Sequence, residues 1–371
     1  MKRFALVVTT LLACSSSGSN PPPADAGPDV DLAAYEAAVK SAKWSLLPNG
    51  PQVSGGAKMD DVYFVNASLG FAASGPDSAL FRTKDGGASW QQVFTHKGTY
   101  FRAVLFLDEK HGFAGNLGAG LTPSIDDTTV LYETKDGGDA WAPVTGIQGP
   151  APAGICNLTA ASSTAIFAVG RANGPAHLIA SSDAGATWTS TDLAAQMSML
   201  IDARFTSATE GLIVGQNKGS PSVCTILKTT DGGQSWNKVF SSTTKNSLCW
   251  KVQFPSAKVG YVSVEDGAGG PPTFVKTTDG GDSWTELPLP TNASPKGGYP
   301  ALGIGFATDN VGWVSSEDDT LPTYYTTDGG QSWTEDATLK APINRFRFVD
   351  RRTAYAIGGA VWKLSIPWTG N

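Results

Sequence analysis

The stretch "TTDGGQSW" decides the fold of this 371-residue chain. It occurs twice without change, at residues 229–236 and 326–333, and four looser copies lie elsewhere. The tryptophans that end the six copies are separated by 51, 47, 48, 48 and 49 residues. They are Trp90, Trp141, Trp188, Trp236, Trp284 and Trp333. A period of this length indicates a propeller or solenoid built from one repeated supersecondary unit.

Each copy, called the box below, is expected to form a tight turn. Its aspartate can accept hydrogen bonds from backbone amides two or three residues further on. The second glycine of the box is present in all six copies, whereas the first is replaced by Ala184 in the third copy. The second position is therefore expected to need a positive φ, and the tryptophan to pack between neighbouring blades. The six aspartates are Asp85, Asp136, Asp183, Asp231, Asp279 and Asp328.

These aspartates could instead form a catalytic or calcium-binding set. A ring places equivalent turns around its periphery, far from one another, so the structural role is favoured.

A second repeat precedes each box and sets the number of blades. It consists of an apolar run, a short polar turn and another apolar run, as in "FTSATEGLIVG" at 205–215, and this pattern predicts a hairpin. Seven such hairpins are visible, and each box and its tryptophan strand complete a four-stranded blade. The seventh hairpin, near Tyr355, has no box after it, and a lone strand near Trp44 precedes the first. We predict an all-β, seven-bladed propeller whose last blade is closed by the strand near Trp44.

The N-terminal residues resemble a bacterial lipoprotein signal. Lys2 and Arg3 precede an apolar run and then Cys14, and such a segment is too short to span a membrane. We expect residues 1–13 to be removed and Cys14 to be lipidated, although ordinary signal cleavage with Cys14 as a bystander is the alternative. The expected location is the bacterial cell envelope, with the chain lipid-anchored, and the sequence leaves inner or outer membrane open.

The remaining chain divides into three parts. Residues 14–30 are Ser/Pro-rich and predict a disordered tether. Residues 31–42 predict a short helix with Asp31 as N-cap and Leu32, Tyr35 and Val39 at helical spacing. Residues 43–371 are the predicted propeller, which we expect to be a monomer.

The charge of the chain argues against two classes of partner. The formal net charge is −6, and loss of Lys2 and Arg3 with the signal changes it to −8. An acidic chain without a basic run is a poor candidate for binding nucleic acid or anionic lipid. Attachment to a membrane is expected through the N-terminal lipid only.

Three cysteines follow Cys14, which in an exported chain suggests one disulfide and one free thiol. Cys224 is expected to begin the third strand of blade 4, and Cys249 the first strand of blade 5. Both positions fall on the same face of adjacent blades, so we predict a Cys224–Cys249 disulfide and a free Cys156.

With its hairpins and boxes, the chain resembles the Asp-box (BNR-repeat) propellers, which include sialidases, sortilin-type receptors, certain xyloglucanases and the Ycf48-type photosystem II assembly factors. The hairpins and the period near 48 residues look most like the Ycf48-like group, over roughly residues 44–362. This resemblance implies a binding or assembly scaffold. Propellers host many unrelated activities, so a likeness in fold does not settle function.

No residue is assigned as catalytic, cofactor-binding or metal-binding. The sialidase "RIP"-like segment is missing, and no histidine has a second ligand at zinc-site spacing. The favoured function is a non-catalytic, envelope-tethered scaffold for a protein or glycan partner. A sialidase-like or glucanase-like glycoside hydrolase and a carbohydrate-binding module are the alternatives.

The irregular loops of a propeller are the usual place for binding. Because strand direction alternates, the boxes share one face of the ring, the box face, and the variable loops share the other, the loop face. Seven residues are expected near the starts of the inner strands on the loop face, either as a binding rim or as aromatic plugs and ion-paired arginines. They are Tyr100, Arg102, Arg204, Trp250, Tyr299, Asn344 and Arg345.

Overall fold

The computed structural model describes residues 31–53, 57–266, 272–290 and 301–370. The predicted signal and tether, including Cys14, lie outside these residues. Within them, a helix precedes seven four-stranded antiparallel sheets, each of which is one blade. The predicted seven-bladed all-β propeller is therefore confirmed.

The first half of the chain contributes the helix and the first three blades. Their elements are α1 (Leu32–Ser41), β1 (Trp44–Leu46), β2 (Asp61–Phe64), β3 (Gly70–Ser74), β4 (Ala79–Thr83), β5 (Gln91–Thr95), β6 (Phe101–Phe106), β7 (Gly112–Asn116), β8 (Leu131–Thr134), β9 (Ala142–Pro143), β10 (Asn157–Ala160), β11 (Ile166–Gly170), β12 (His177–Ser181) and β13 (Thr189–Asp192). Blade 1 is β2–β5, blade 2 is β6–β9 and blade 3 is β10–β13.

The second half contributes the other four blades. Their strands are β14 (Met197–Phe205), β15 (Gly211–Asn217), β16 (Cys224–Thr229), β17 (Asn237–Ser241), β18 (Ser247–Gln253), β19 (Gly260–Asp266), β20 (Thr273–Thr277), β21 (Thr285–Pro288), β22 (Ala301–Phe306), β23 (Gly312–Ser316), β24 (Tyr324–Thr326), β25 (Thr334–Glu335), β26 (Ile343–Asp350), β27 (Thr353–Gly358) and β28 (Val361–Ser365). Blades 4, 5 and 6 are consecutive sets of four, and blade 7 has the order β26, β27, β28, β1.

The ring closes through its own N-terminal strand, as predicted. β1 pairs with β28, with Trp44 opposite Leu364. The indole of Trp44 is buried and lies edge-on to Trp313 of blade 6 and close to Phe346 of blade 7. The seam is thus sealed by backbone pairing and by an aromatic contact that reaches the next blade.

Helix α1 begins where the sequence indicates an N-cap. The carboxylate of Asp31 accepts a hydrogen bond from the Ala34 amide at 3.0 Å, as N-cap residues do. Tyr35 and Val39 are buried against blades 6 and 7, whereas Leu32 is 44% exposed. The packed stripe is therefore narrower than the sequence indicates.

In four of the seven blades, an aromatic ring of the hairpin stacks on a ring of the preceding blade's hairpin. Phe106, at the end of inner strand β6, stacks on Phe71 of blade 1 with ring centroids 3.8 Å apart. Gly112 begins the next strand and lies under the same Phe106 ring, where a Cβ would come within 2.6 Å of it. The recurring phenylalanine and glycine of the hairpin repeat are thus one packing unit.

The box closes the turn between the third and fourth strands by a fixed set of hydrogen bonds. In blade 4, the Thr229 hydroxyl donates to Asp231 at 2.8 Å and accepts from the Gly233 amide at 2.9 Å. Asp231 also accepts from the amide and the hydroxyl of Ser235, at 2.9 and 2.5 Å. The amide lies four residues on, one beyond the predicted two-to-three-residue span, whereas Asp136 and Asp279 also accept from amides three residues on, each at 3.0 Å. The two positive-φ glycines lengthen the turn beyond a simple Asx-turn.

Both box glycines have positive φ, which explains why only the first is replaceable. Ala184 at the first position has φ 60°, within the left-handed region that other residues can enter, whereas the second glycines have φ between 88° and 92°. A Cβ on Gly281 would come 2.8 Å from the Leu212 side chain of the preceding blade. The second glycine is therefore the position at which an apolar side chain of the preceding blade packs directly on the backbone of the turn.

The box tryptophans cover this contact from outside. Trp333 lies edge-on to Phe274 of blade 5 and to Phe306 of its own blade. Trp188 packs in the same way against Phe113 of blade 2. Aromatic pairs in this geometry add to the free energy of burial.

We predict that the two glycines of one box differ in their tolerance of alanine. Gly281→Ala should cost about 2–4 kcal/mol of unfolding free energy, because strain at φ 90° adds to a clash with Leu212. Gly280→Ala should cost only about 1 kcal/mol, because its added Cβ meets nothing closer than 3.4 Å. Denaturant unfolding of both variants checks this, and equal costs would contradict it.

We also predict that acid weakens the box turns. Hydrogen bonds from Ser235 and then Thr229 lower the pKa of Asp231 to about 2 from an ordinary value of 3.8. A depressed folded-state pKa adds stability that is complete above the unfolded-state pKa and lost as pH falls through the folded-state value. Asp231→Asn should lower the unfolding midpoint at pH 6, and the difference from the wild type should shrink from pH 4 towards pH 2. A difference that grows in acid would contradict this.

Candidate functional site in the central channel

The seven inner strands surround a channel, and their free edges face it. Carboxylates from neighbouring blades satisfy some of the exposed backbone amides. Asp61 of blade 1 accepts from the Val104 amide of blade 2 at 3.2 Å, and Asp202 of blade 4 accepts from the Val252 amide of blade 5 at 3.1 Å. Each of these two aspartates lies three residues before the phenylalanine that ends its own inner strand.

Arg345 of blade 7 connects these two carboxylates. Its Nε lies 3.2 Å from Asp61 Oδ1, and its Nη1 lies 3.2 Å from Asp202 Oδ2 on the far side of the ring. Burial opposes the charge of the guanidinium, but Asp202 and Asp61 hold the pKa of Arg345 above its usual value. The middle of the channel is therefore occupied by a buried ion-pair network. Removing one partner of such a pair typically lowers the free energy of unfolding by about 3–5 kcal/mol, so the network has a structural role.

A second polar layer lies on the loop-face side of this network. Asp60 accepts from Asn344 Nδ2 at 2.9 Å and lies 3.7 Å from the Arg102 guanidinium. Arg102 Cζ also lies 5.3 Å from the centre of the Trp250 ring. Three residues of the predicted rim are therefore held in place: Asn344 and Arg102 by Asp60, and Trp250 by its contact with Arg102.

The loop-face mouth of the channel is closed by apolar side chains. Five buried residues form the plug: Leu117, Cys156, Ile201, Trp250 and Leu302. Five partly exposed residues pack on it and define the loop-face patch: Tyr100, Leu121, Ala172, Met199 and Leu248. The interpretation in which aromatics plug the mouth and arginines pair with carboxylates therefore describes this end of the channel well.

Lys251 is a buried lysine at the same level of the channel as Asp61, Asp202 and Arg345. Its Nζ has no hydrogen-bond partner among the described residues and lies 5.8 Å from the centre of the Trp250 ring. Burial, with Arg345 and Arg102 nearby, lowers the pKa of Lys251 well below its ordinary value. Lys251 was not among the residues predicted from the sequence.

The cysteines lie on the loop-face side. A disulfide joins Cys224 and Cys249, with Cα atoms 4.7 Å apart, and links blade 4 to blade 5. Cys156 is a buried free thiol of the plug.

The box-face mouth is open and holds a cavity of about 310 Å³. Side chains from the inner strands of blades 3, 4, 5 and 7 line it, among them Asn157, Arg204, Gln253, Arg345 and Arg347. Arg347 Nη2 is held by Asp61 at 3.0 Å. Burial lowers the pKa of Arg204 to about 10, so its guanidinium is protonated at neutral pH.

The predicted rim is thus divided between the two ends of the channel. Tyr100, Arg102, Trp250 and Asn344 lie in its loop-face half, and Arg345 crosses its middle. Arg204 lies next to the last residue of β14, not near its start, so its predicted position is wrong. β14 is nine residues long and places Arg204 at the box face. Tyr299 lies outside the described residues.

Among the described residues, no group of three or more His, Cys, Asp or Glu side chains is arranged to hold a metal ion. None of the helices described is long and apolar enough to cross a membrane.

Comparison with known families extends the likeness seen in the boxes. A family model described as photosynthesis system II assembly factor YCF48 matches residues 182–296. A model of the BNR/Asp-box repeat matches residues 324–335. No curated protein matches the chain by sequence.

Solved structures share the architecture at low sequence identity. "YCF48 bound to D1 peptide" has a TM-score of 0.60 and 17% identity, over 88% of this chain and 97% of that one. YCF48 from Cyanidioschyzon merolae has a TM-score of 0.62 and 15% identity, over 89% and 100%. A streptogramin B lyase reaches 0.63 at 10% identity, over 87% and 98%, so the shared fold alone does not indicate an activity. The repeats, the fold and the two matching models together identify the chain as an Asp-box β-propeller that is similar to YCF48.

Proposed function

We propose that the chain is a non-catalytic scaffold that binds a segment of a protein partner on its loop face. The observation that carries this proposal is the loop-face patch, in which five partly exposed apolar residues surround a buried plug. Apolar groups with a polar border are typical of protein interaction surfaces. Lys58 and Glu317, paired at 3.9 Å, lie beside Tyr100 and supply part of such a border.

The blade 2 loop beside the patch is held in place by side-chain hydrogen bonds. Arg171 of blade 3 donates to the Ala119 carbonyl of the blade 2 loop at 2.7 Å. Asp127, further along the same loop, accepts from the Tyr132 hydroxyl at 2.6 Å. A surface that is ordered before binding loses less entropy when a partner docks. This rigidity supports recognition of a partner by a preformed site.

Two further observations favour a binding protein over a hydrolase. Asp60, Asp61 and Asp202 are the acidic side chains of the channel layers described above, and each is engaged by an arginine. Retaining glycosidases use two carboxyls about 5 Å apart on either side of a bound sugar, a role that is hard to combine with structural ion pairs. The similarity to a YCF48 whose structure includes a bound peptide also supports a peptide-like partner.

We predict that charge in the loop-face patch abolishes capture of the partner. With the purified propeller as bait and detergent-solubilised envelope as source, Leu121→Asp or Met199→Asp should reduce capture at least tenfold, because a buried interface carboxylate without a partner is costly. Leu32→Asp is the matched control, because Leu32 is exposed and lies outside the patch.

Capture that survives both patch variants would contradict the loop-face assignment. Sugar released from a glycan panel would favour the hydrolase, and retention on immobilised glycan without release would favour a carbohydrate-binding module.

We propose in addition that Cys14 carries a lipid that tethers the propeller to the bacterial envelope, by the lipoprotein pattern of the N-terminal sequence. We predict that radiolabelled fatty acid enters the native chain in cells and that Cys14→Ser abolishes labelling, because acylation requires the Cys14 thiol. Gel fluorography measures the label, with Cys156→Ser as the control that should keep it. Equal labelling of the Cys14→Ser chain would contradict the tether.

A further inference from the structure

The box-face cavity is separate from the surface assigned to the partner. It opens at the ends of the inner strands, on the side opposite the loop-face patch. Its volume of about 310 Å³ is at the lower end of the range for ligand sites, roughly 300–1,000 Å³. A ligand that fills it has the size of an amino acid or a monosaccharide.

The charged groups of the cavity leave one positive charge without a counterpart. Arg204, Arg345 and Arg347 line the wall. Asp61 and Asp202 are the carboxylates that pair with the last two arginines. The three arginines therefore carry one more positive charge than the two aspartates neutralise. A ligand with a single negative charge would balance this excess.

Arg204 is the group that remains available to a ligand. Its guanidinium carbon lies 4.2 Å from the centre of the Phe254 ring, and this contact orients the planar group. No carboxylate or carbonyl pairs with it in the residues that the structure describes, and burial alone accounts for its lowered pKa. A planar guanidinium with free N–H groups binds a carboxylate through two parallel hydrogen bonds.

We propose that the box-face cavity binds a small monoanionic carboxylate, with Arg204 holding the carboxylate group. Hydroxy acids, sugar acids and N-acylated amino acids share this chemistry. The site is distinct from the loop-face patch, so it stands or falls independently of the proposed scaffold function.

Titration calorimetry of the full chain with two acids and their neutral counterparts tests the site. The probes are glucuronate and N-acetylalanine, with methyl glucoside and N-acetylalaninamide as matched neutral compounds. At least one acid should bind, and its neutral counterpart should bind about tenfold to a hundredfold more weakly, because a charge-assisted hydrogen-bond pair is lost. Binding of glucuronate would indicate a sugar acid as the ligand class, and binding of N-acetylalanine an N-acylated amino acid. This comparison uses the wild-type chain alone.

Variants then assign the binding to Arg204. Arg204→Met keeps an apolar stem over Phe254 and should weaken the acid at least tenfold, whereas Arg204→Lys should weaken it less. Arg352→Met changes an exposed arginine outside the cavity and should leave binding unchanged. The proposal is overturned if neither acid binds, if the neutral compounds bind equally well, if inorganic phosphate binds more tightly than both acids, or if Arg204→Met binds like the wild type.

Discussion

The contact between the second box glycine of one blade and an apolar side chain of the preceding blade is the constraint on which this structure depends. Leu178 meets Gly233, Leu212 meets Gly281 and Phe274 meets Gly330 in the same way. Each contact places a turn of one blade directly on the core of its neighbour, so blade spacing is set at the periphery. The aspartate and threonine hold the turn in the shape that leaves this space open. The eight-residue box is therefore a blade-to-blade joint as much as a local turn.

The structure at the periphery of the ring was predictable because the same turn and the same contacts recur in six of the blades. Each turn needs the same carboxylate and glycine, so a period near 48 residues counts the blades. The orphan strand at Trp44 and the boxless hairpin at Tyr355 indicate the closure. The hydrogen bond from the amide four residues on, which all six box aspartates accept, lies one residue beyond the predicted span, because its reach depends on two successive positive-φ residues. Only the replacement of the first glycine by Ala184 hinted at different demands on the two positions.

The channel was less predictable because its side chains do not repeat. Each blade contributes a different residue at the same level, such as Asp61, Asp202, Lys251 and Arg345, and partners come from blades far apart in sequence. The pairing of Arg345 with Asp202 joins residues 143 positions apart. The prediction for Arg204 puts it at the wrong end of β14, although a phenylalanine like the one directly after it ends the inner strand in three other blades. Counting backwards from that phenylalanine would have located both Arg204 and the two aspartates.

Because Arg345 reaches across the ring to Asp202, it separates the two ends of the channel. The ion pair between Arg345 and Asp202 and the apolar plug both lie between the box-face cavity and the loop-face patch. A substitution in the box-face cavity therefore changes no side chain of the loop-face patch, and the two faces can diverge independently in sequence.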